Sequence, residues 1–131
     1  MARRISNTLT EVELEFMQIL WSHKEAAPED IKQALNVKGR TLTGGSIRKM
    51  LLILMKKEYV ERIKEGKKYI YRAKVKQTNA KKSMILELLD RAFGGSAFQM
   101  FATLLESSEV PEEDIKKIEK LIGERKKEEN R

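Results

Sequence analysis

The chain has no cysteine, one histidine and two prolines among its 131 residues. Without cysteine there is no disulfide framework, no thiolate metal site, no iron–sulfur ligation and no cysteine nucleophile. With His23 as the single imidazole, histidine-based triads and most transition-metal sites also lose their parts. No metal, no cofactor and no enzymatic activity are therefore expected. His23 follows Trp21 and Ser22 near an expected helix end, where an imidazole serves the last carbonyls. No apolar run approaches the roughly 18 residues that cross a bilayer. Met1 to Arg4 leads into polar Ser6 and Asn7 rather than a signal-peptide core, so a cytoplasmic protein with no membrane insertion is expected.

What the chain does hold is charge, and it is unevenly placed. Hydrophobic residues make up 40%, enough for a core, while 36% are charged and the net charge is +7. Residues 1–76 carry 17 Lys and Arg against 9 Asp and Glu, a balance of +8; residues 77–131 carry 10 against 11, a balance of −1. Such asymmetry suggests a polyanion-facing domain over 1–76 joined to a domain with another task over 77–131.

The first helix is announced by Leu9-Thr10-Glu11-Val12-Glu13-Leu14. Thr10 caps the backbone, Glu13 reaches back, and Leu9 and Leu14 occupy the two positions of a hydrophobic staple. Glu11, Glu13 and Glu15 read as capping and solvated positions rather than as an acid/base pair. Leu14, Met17, Ile19, Leu20 and Trp21 supply the apolar face, with Trp21 expected in the core. Pro28, Glu29 and Asp30 open a second helix that buries Ile31, Ala34 and Leu35.

Thr43 caps a third helix, in which Ile47, Met50, Leu51 and Leu54 form one buried stripe. At about 100° per residue, Gly45, Lys49, Leu52 and Lys56 then point away from that stripe, with Arg48 and Ile53 at its borders. Two β-rich runs follow, Tyr59 to Lys64 and Lys67 to Arg72, around a Glu65-Gly66 turn. Their cations are Arg62, Lys64, Lys67, Lys68 and Arg72. Helix, helix, helix and hairpin in this order describe a winged helix-turn-helix, whose third helix enters the major groove while the hairpin follows the DNA backbone.

The candidate DNA-binding set is Thr43, Gly45, Ser46, Arg48, Lys49, Leu52 and Lys56 from the helix, with Arg62, Lys64, Lys67 and Lys68 from the hairpin. Ser46, Arg48 and Lys49 read base edges or neighbouring phosphates, and Gly45 permits close approach at the helix N-terminus. Leu52 either touches a thymine methyl group or is partly buried by a rotated helix. Arg3 and Arg4 form either an electrostatic arm or a solvated terminus.

Beyond Lys76, Thr78 is expected to cap a helix striped by Met84, Ile85, Leu88, Leu89 and Phe93, which Gly94-Gly95-Ser96 ends. A helix from Ala97 to about Glu106 offers Phe98, Met100, Phe101, Leu104 and Leu105. Pro111 opens a last helix with Ile115, Ile118, Leu121 and Ile122, and Lys126 to Arg131 reads as a frayed tail. Three short amphipathic helices make a thin core. Either they pack back on the first domain or a second copy of the chain covers them, and a homodimer is the preferred expectation. The expected fold is thus mainly α with a small β-hairpin, a winged helix-turn-helix domain followed by a three-helix dimerisation region.

Several stretches together resemble one known family. They are Leu9 to Trp21, Ser46-Ile47-Arg48, Lys56-Lys57-Glu58-Tyr59-Val60, Glu65-Gly66-Lys67-Lys68-Tyr69-Ile70-Tyr71 and Phe93-Gly94-Gly95-Ser96. The resemblance is to the penicillinase repressors of the BlaI/MecI type, which include copper-transport repressors. It implies a homodimeric bacterial repressor that holds a palindromic DNA operator and answers to an upstream sensor or protease. The chain departs from the family pattern in three places. Leu52 and Ile53 stand where the family has a polar residue and an arginine, Thr103-Leu104 stands where penicillinase repressors are cut between Asn and Phe, and the C-terminal metal-binding cysteines of the copper-responsive relatives are missing. Operator sequence, regulated genes and inducing signal are accordingly not carried over. The alternatives to a repressor are a winged-helix protein-interaction adaptor and a sequence-indifferent architectural DNA binder.

Overall fold

A computed structural model of the chain describes residues 8–130; Arg3 and Arg4 lie outside them. The described elements are α1 (Glu11–His23), β1 (Glu25–Ala26), α2 (Pro28–Val37), α3 (Gly44–Lys56), β2 (Val60–Glu65), β3 (Lys68–Ala73), α4 (Gln77–Phe93), α5 (Ala97–Glu106) and α6 (Glu112–Glu129). The chain divides into two compact units, the first ending at Glu87 and the second beginning at Leu88, within α4.

The core of the first unit is built where the helical apolar stripes converge. Phe16, Met17 and Leu20 of α1, Ile31 and Leu35 of α2, and Ile47, Leu51 and Leu54 of α3 are all fully buried. Burying side chains of this size is worth about 1.5–3 kcal/mol each, so these three stripes orient the helices. Met50 and Ala34 are half-buried at the margin of the core. Trp21 is also half-buried, because its indole N–H reaches out of the core to donate to the Val75 carbonyl at 2.8 Å. Met84 of α4 packs against the same core, and Ala80 belongs to it.

Helix ends follow local chemistry. At α1 the Thr10 hydroxyl accepts from the Glu13 N–H at 3.2 Å while the Thr10 N–H donates to Glu13 Oε1 at 2.7 Å, a complete capping box. At α2 Asp30 accepts from the Ala27 N–H at 3.0 Å, and Pro28 occupies the first turn. Gly39, at φ 91°, ends α2 by letting the Arg40 N–H return to the Leu35 carbonyl. Two boundaries differ from expectation. Gln77 already lies in α4, so Thr78 sits inside the first turn and is not its cap; the Lys76 carbonyl accepts from the Ala80 N–H instead. The expected C-terminal tail is helical to Glu129, with i,i+4 pairing of Arg125 and Glu129 supporting the last turns.

The sheet is antiparallel, in the order β1-β3-β2. β1 is two residues long and pairs Glu25 with Arg72 and Ala26 with Tyr71. The hairpin turn falls at Gly66-Lys67, one residue later than expected, with Gly66 at φ 63°. Glycine at the first central position is what a type II′ turn requires. The shift has an electrostatic reason. A Glu65-Gly66 turn would set Lys64 against Lys67, whereas the observed register sets Glu65 against Lys68 and Glu61 against Arg72.

In the second unit Gly94 and Gly95, at φ 54° and 85°, turn the chain out of α4, and the Ser96 hydroxyl caps α5 by accepting from the Gln99 N–H at 3.1 Å. α5 and α6 contain no buried residue. Among the described residues no helix is long and apolar enough to cross a membrane.

Candidate nucleic-acid interface

The outer face of α3 is set by what its inner face buries. With Ile47, Leu51 and Leu54 sealed in the core, Gly45, Ser46, Arg48, Lys49, Leu52 and Lys56 are exposed. Leu52 keeps 49% of its surface exposed, so the helix is not rotated to hide it. Ile53 is half-buried. At the N-terminus the Thr43 hydroxyl accepts from the Ser46 N–H at 3.1 Å and donates to Ser46 Oγ at 3.0 Å. A Cβ at Gly44 or Gly45 would meet nothing within 4 Å. The fold therefore does not need glycine there, although each costs helix stability relative to alanine.

Lys57 behaves differently from the other cations of this segment. It lies in the α3 C-cap and its ammonium donates to Glu13 Oε1 at 2.8 Å and to the Thr8 carbonyl at 2.9 Å. Burial pushes the Glu13 carboxyl up, but hydrogen bonds from Lys57 and from the backbone and hydroxyl of Thr10, with the Lys57 charge, outweigh it and hold it below its ordinary value. Burial also pushes the Tyr59 hydroxyl up, helped by the charges of Glu87 and Glu13.

The hairpin has two unlike faces, because side chains alternate along each strand. Arg62 pairs with Tyr71 and Lys64 with Tyr69, which puts these four on one face. Glu61, Ile63, Ile70 and Arg72 lie on the other, where Arg72 is held by the Glu61 carboxylate. Arg72, counted among the hairpin cations in the sequence, is thus already neutralised. On the first face the Arg62 guanidinium stacks over the Tyr69 ring, 4.1 Å from its centroid.

Arg48 and Leu52, one turn apart on α3, meet Arg62, Lys68, Tyr69 and Tyr71 of the hairpin around a cleft of about 560 Å³. Ala27, Pro28 and Glu29 from the start of α2 close its third side. Of the candidate DNA-binding residues, Arg48, Leu52, Arg62 and Lys68 are brought together here. Lys49 and Lys56 stand exposed elsewhere on α3, and Lys64 and Lys67 lie exposed toward the hairpin tip. Sequence reasoning missed Tyr69, Tyr71 and Glu29; the alternation of the hairpin carries the signal for the two tyrosines once its register is known.

The candidate dimerisation residues are distributed unevenly. Met84 is occupied by the core of the first unit. Leu89, Phe93, Ile115 and Ile118 are half-buried, whereas Ile85, Leu88, Phe101, Leu104, Leu105, Leu121 and Ile122 are exposed and Phe98 keeps 82% of its surface in solvent. Among the described residues no cluster of three or more His, Asp or Glu side chains forms a metal site.

A model of the penicillinase repressor family matches residues 9–124. Among known proteins, the chain is 25% identical over 118 residues to the penicillinase repressor of Bacillus licheniformis, covering 90% of this chain and 91% of that one. It is 20% identical over 115 residues to the methicillin resistance regulatory protein MecI of Staphylococcus aureus, covering 88% and 93%. Among solved structures, the DNA-binding domain of the repressor BlaI superposes with a TM-score of 0.50 at 26% identity, over 59% of this chain and 93% of that one.

Proposed function

This chain belongs to the penicillinase repressor family, and on that premise we propose that it is a transcriptional repressor holding a palindromic DNA operator as a homodimer. The observation that carries the reading is the division of α3 into a fully buried stripe and an exposed face bearing Gly45, Arg48, Lys49, Leu52 and Lys56, beside a cationic hairpin. A helix so anchored presents its outer face rigidly to a major groove. Arg48, Lys49 and Ser46 reach base edges or adjacent phosphates, and Leu52 fits a thymine methyl group. Thr43 shapes the helix N-terminus, where Gly45 admits the DNA backbone to free amides. Lys56 takes phosphates, as do Arg62, Lys64, Lys67 and Lys68 of the hairpin.

In this reading residues 1–76 bind DNA and residues 77–131 dimerise. Support for the second part is the run of exposed apolar side chains, Ile85 and Leu88 on α4, Phe98, Phe101 and Leu105 on α5, and Leu121 on α6. Apolar surface of this extent marks an interaction site, and two-fold pairing with a second copy is the commonest solution. Half-sites are then inverted, with centres about one helical turn, 10–10.5 base pairs, or a multiple apart. The repressor works in the cytoplasm, and an upstream sensor or protease is its candidate partner for release, although Thr103-Leu104 does not offer the Asn-Phe bond at which penicillinase repressors are cut.

Selection of genomic fragments with the purified protein, followed by mobility shifts at several salt concentrations, tests the reading. An inverted repeat bound with an affinity that falls steeply in salt is expected. Equal recovery of every fragment would make the protein an architectural binder, and no binding at low salt would make it a protein adaptor. Sedimentation separately tests the dimer, which a monomer at high micromolar concentration overturns.

A further inference from the structure

The cleft between α3 and the hairpin has walls that a DNA backbone alone would not use. Its volume of about 560 Å³ lies within the roughly 300–1,000 Å³ of small-molecule sites. Leu52 and Tyr69, 49% and 40% exposed, give it apolar walls. Arg48 and Arg62 give it positive charge against one carboxylate, Glu29, while Lys68, whose side chain alternates to the other hairpin face opposite Glu65, borders the rim.

The described arginines of this unit divide in the same way. Arg40 and Arg72, outside the cleft, are paired with Glu15 and Glu61. Arg48 and Arg62, inside it, have no carboxylate partner among the described residues. One face of the Arg62 guanidinium is taken by the Tyr69 ring, which leaves its edge N–H groups as donors in the plane where a carboxylate accepts two bonds. Aromatic and aliphatic walls beside unpaired planar cations match a flat hydrophobic ring that carries a negative charge.

We propose that this cleft is an effector site for a planar aromatic carboxylate, whose occupancy and that of operator DNA exclude one another. The ring lies against Leu52 and the exposed side of Tyr69, and the carboxylate accepts from Arg62 and Arg48. The inference rests on the DNA reading above, because Arg48, Leu52 and Arg62 are the groups that the two ligands compete for. Binding withdraws them from the duplex and adds negative charge to the DNA-facing surface, so release needs no thiol, metal or peptide-bond cleavage.

The test uses the full chain and 2-naphthoate as the probe. In equilibrium dialysis without DNA, naphthoate is expected to saturate one site per chain, while inorganic phosphate and the neutral 2-naphthalenemethanol each bind at least about tenfold more weakly, each lacking half of the match. Arg62→Gln should weaken naphthoate by about tenfold or more through loss of a charge-assisted hydrogen bond, and Lys120→Gln on α6 should not change it. Equal binding to Arg62→Gln, as an adventitious apolar surface would give, overturns the site, and so does no saturable binding at millimolar probe. In mobility shifts naphthoate should raise the protein concentration for half-binding of the selected operator in proportion to its dialysis occupancy. An operator complex indifferent to saturating naphthoate overturns the exclusion. A chain that binds naphthoate but no DNA would sink the repressor reading and leave the ligand site standing.

Discussion

Lys57 at the C-cap of α3 and Glu13 in the capping box of α1 form an ion pair of 2.8 Å, with side chains 8% and 2% exposed. The pair ties the C-terminal end of α3 to the first turn of α1. Neither partner is left wanting, because the ammonium also reaches the Thr8 carbonyl and the carboxylate also accepts from the Thr10 N–H. Stranding one charge of a buried pair costs about 3–5 kcal/mol. Lys57→Met should therefore lower the unfolding free energy by about 3 kcal/mol. The double variant Glu13→Gln/Lys57→Met should recover part of that loss, since no charge remains buried alone. Urea midpoints of the two single variants and the double variant decide the matter, and strictly additive losses would mean that the two residues do not act as a pair.

The same site makes stability depend on pH in the acid range. Glu13 is a stronger acid in the folded chain than its ordinary value of 4.5, so the unfolded chain takes up the proton first. The stabilisation is complete above that ordinary value, declines as the pH falls through the lowered native value, and is absent below it. Between pH 6 and pH 3 the urea midpoint of the wild type should fall further than that of Glu13→Gln. Parallel curves would show that another carboxylate carries the acid sensitivity.

The end of α3 also carries backbone strain. Glu58 adopts φ 66°, its N–H donating to the Met55 carbonyl and that of Tyr59 to the Leu54 carbonyl. This closure ordinarily uses glycine, as α2 does with Gly39. A residue with a Cβ pays about 1–2 kcal/mol in the left-handed region, partly offset because glycine loosens the unfolded chain. Glu58→Gly is expected to gain about 0.5–1 kcal/mol, read as a higher thermal midpoint; a lower midpoint would mean that the Glu58 side chain contributes more than its conformation costs.

Features encoded within a few residues were legible in the sequence, and those set by distant partners were not. Thr10 and Glu13 announce the start of α1 because a capping box is complete within one turn, and the stripe of Ile47, Leu51 and Leu54 fixes the exposed face of α3. The second role of Glu13 depends on Lys57, 44 residues away, and its local role conceals it. Gly66 marks a turn, but a glycine does not say which central position it fills; the observed register, one residue later than expected, turns Val60 and Tyr71 to the core and sets Glu65 against Lys68. β1, two residues long, carries no pattern at all and exists because Arg72 and Tyr71 offer it a free edge. The cleft follows from that register, so Tyr69 and Tyr71 were hidden along with it.

Lys49 and Lys67 offer the sharpest separation of address from adhesion. Both are exposed, Lys49 on the outer face of α3 and Lys67 in the hairpin turn, so either can be removed without touching the core. A phosphate contact carries no sequence information, and Lys67→Ala should weaken all duplexes alike and reduce the slope of log affinity against log salt by about 1. A base contact is worth about 1–3 kcal/mol of discrimination, and Lys49→Ala should lose about that much on the operator while relaxing preference at one position of each half-site. Mobility shifts on the operator and on its single-base variants, at two salt concentrations, measure both effects. If Lys49→Ala left affinity and preference untouched, the reading edge of α3 would have to lie on the side of Arg48, facing the hairpin.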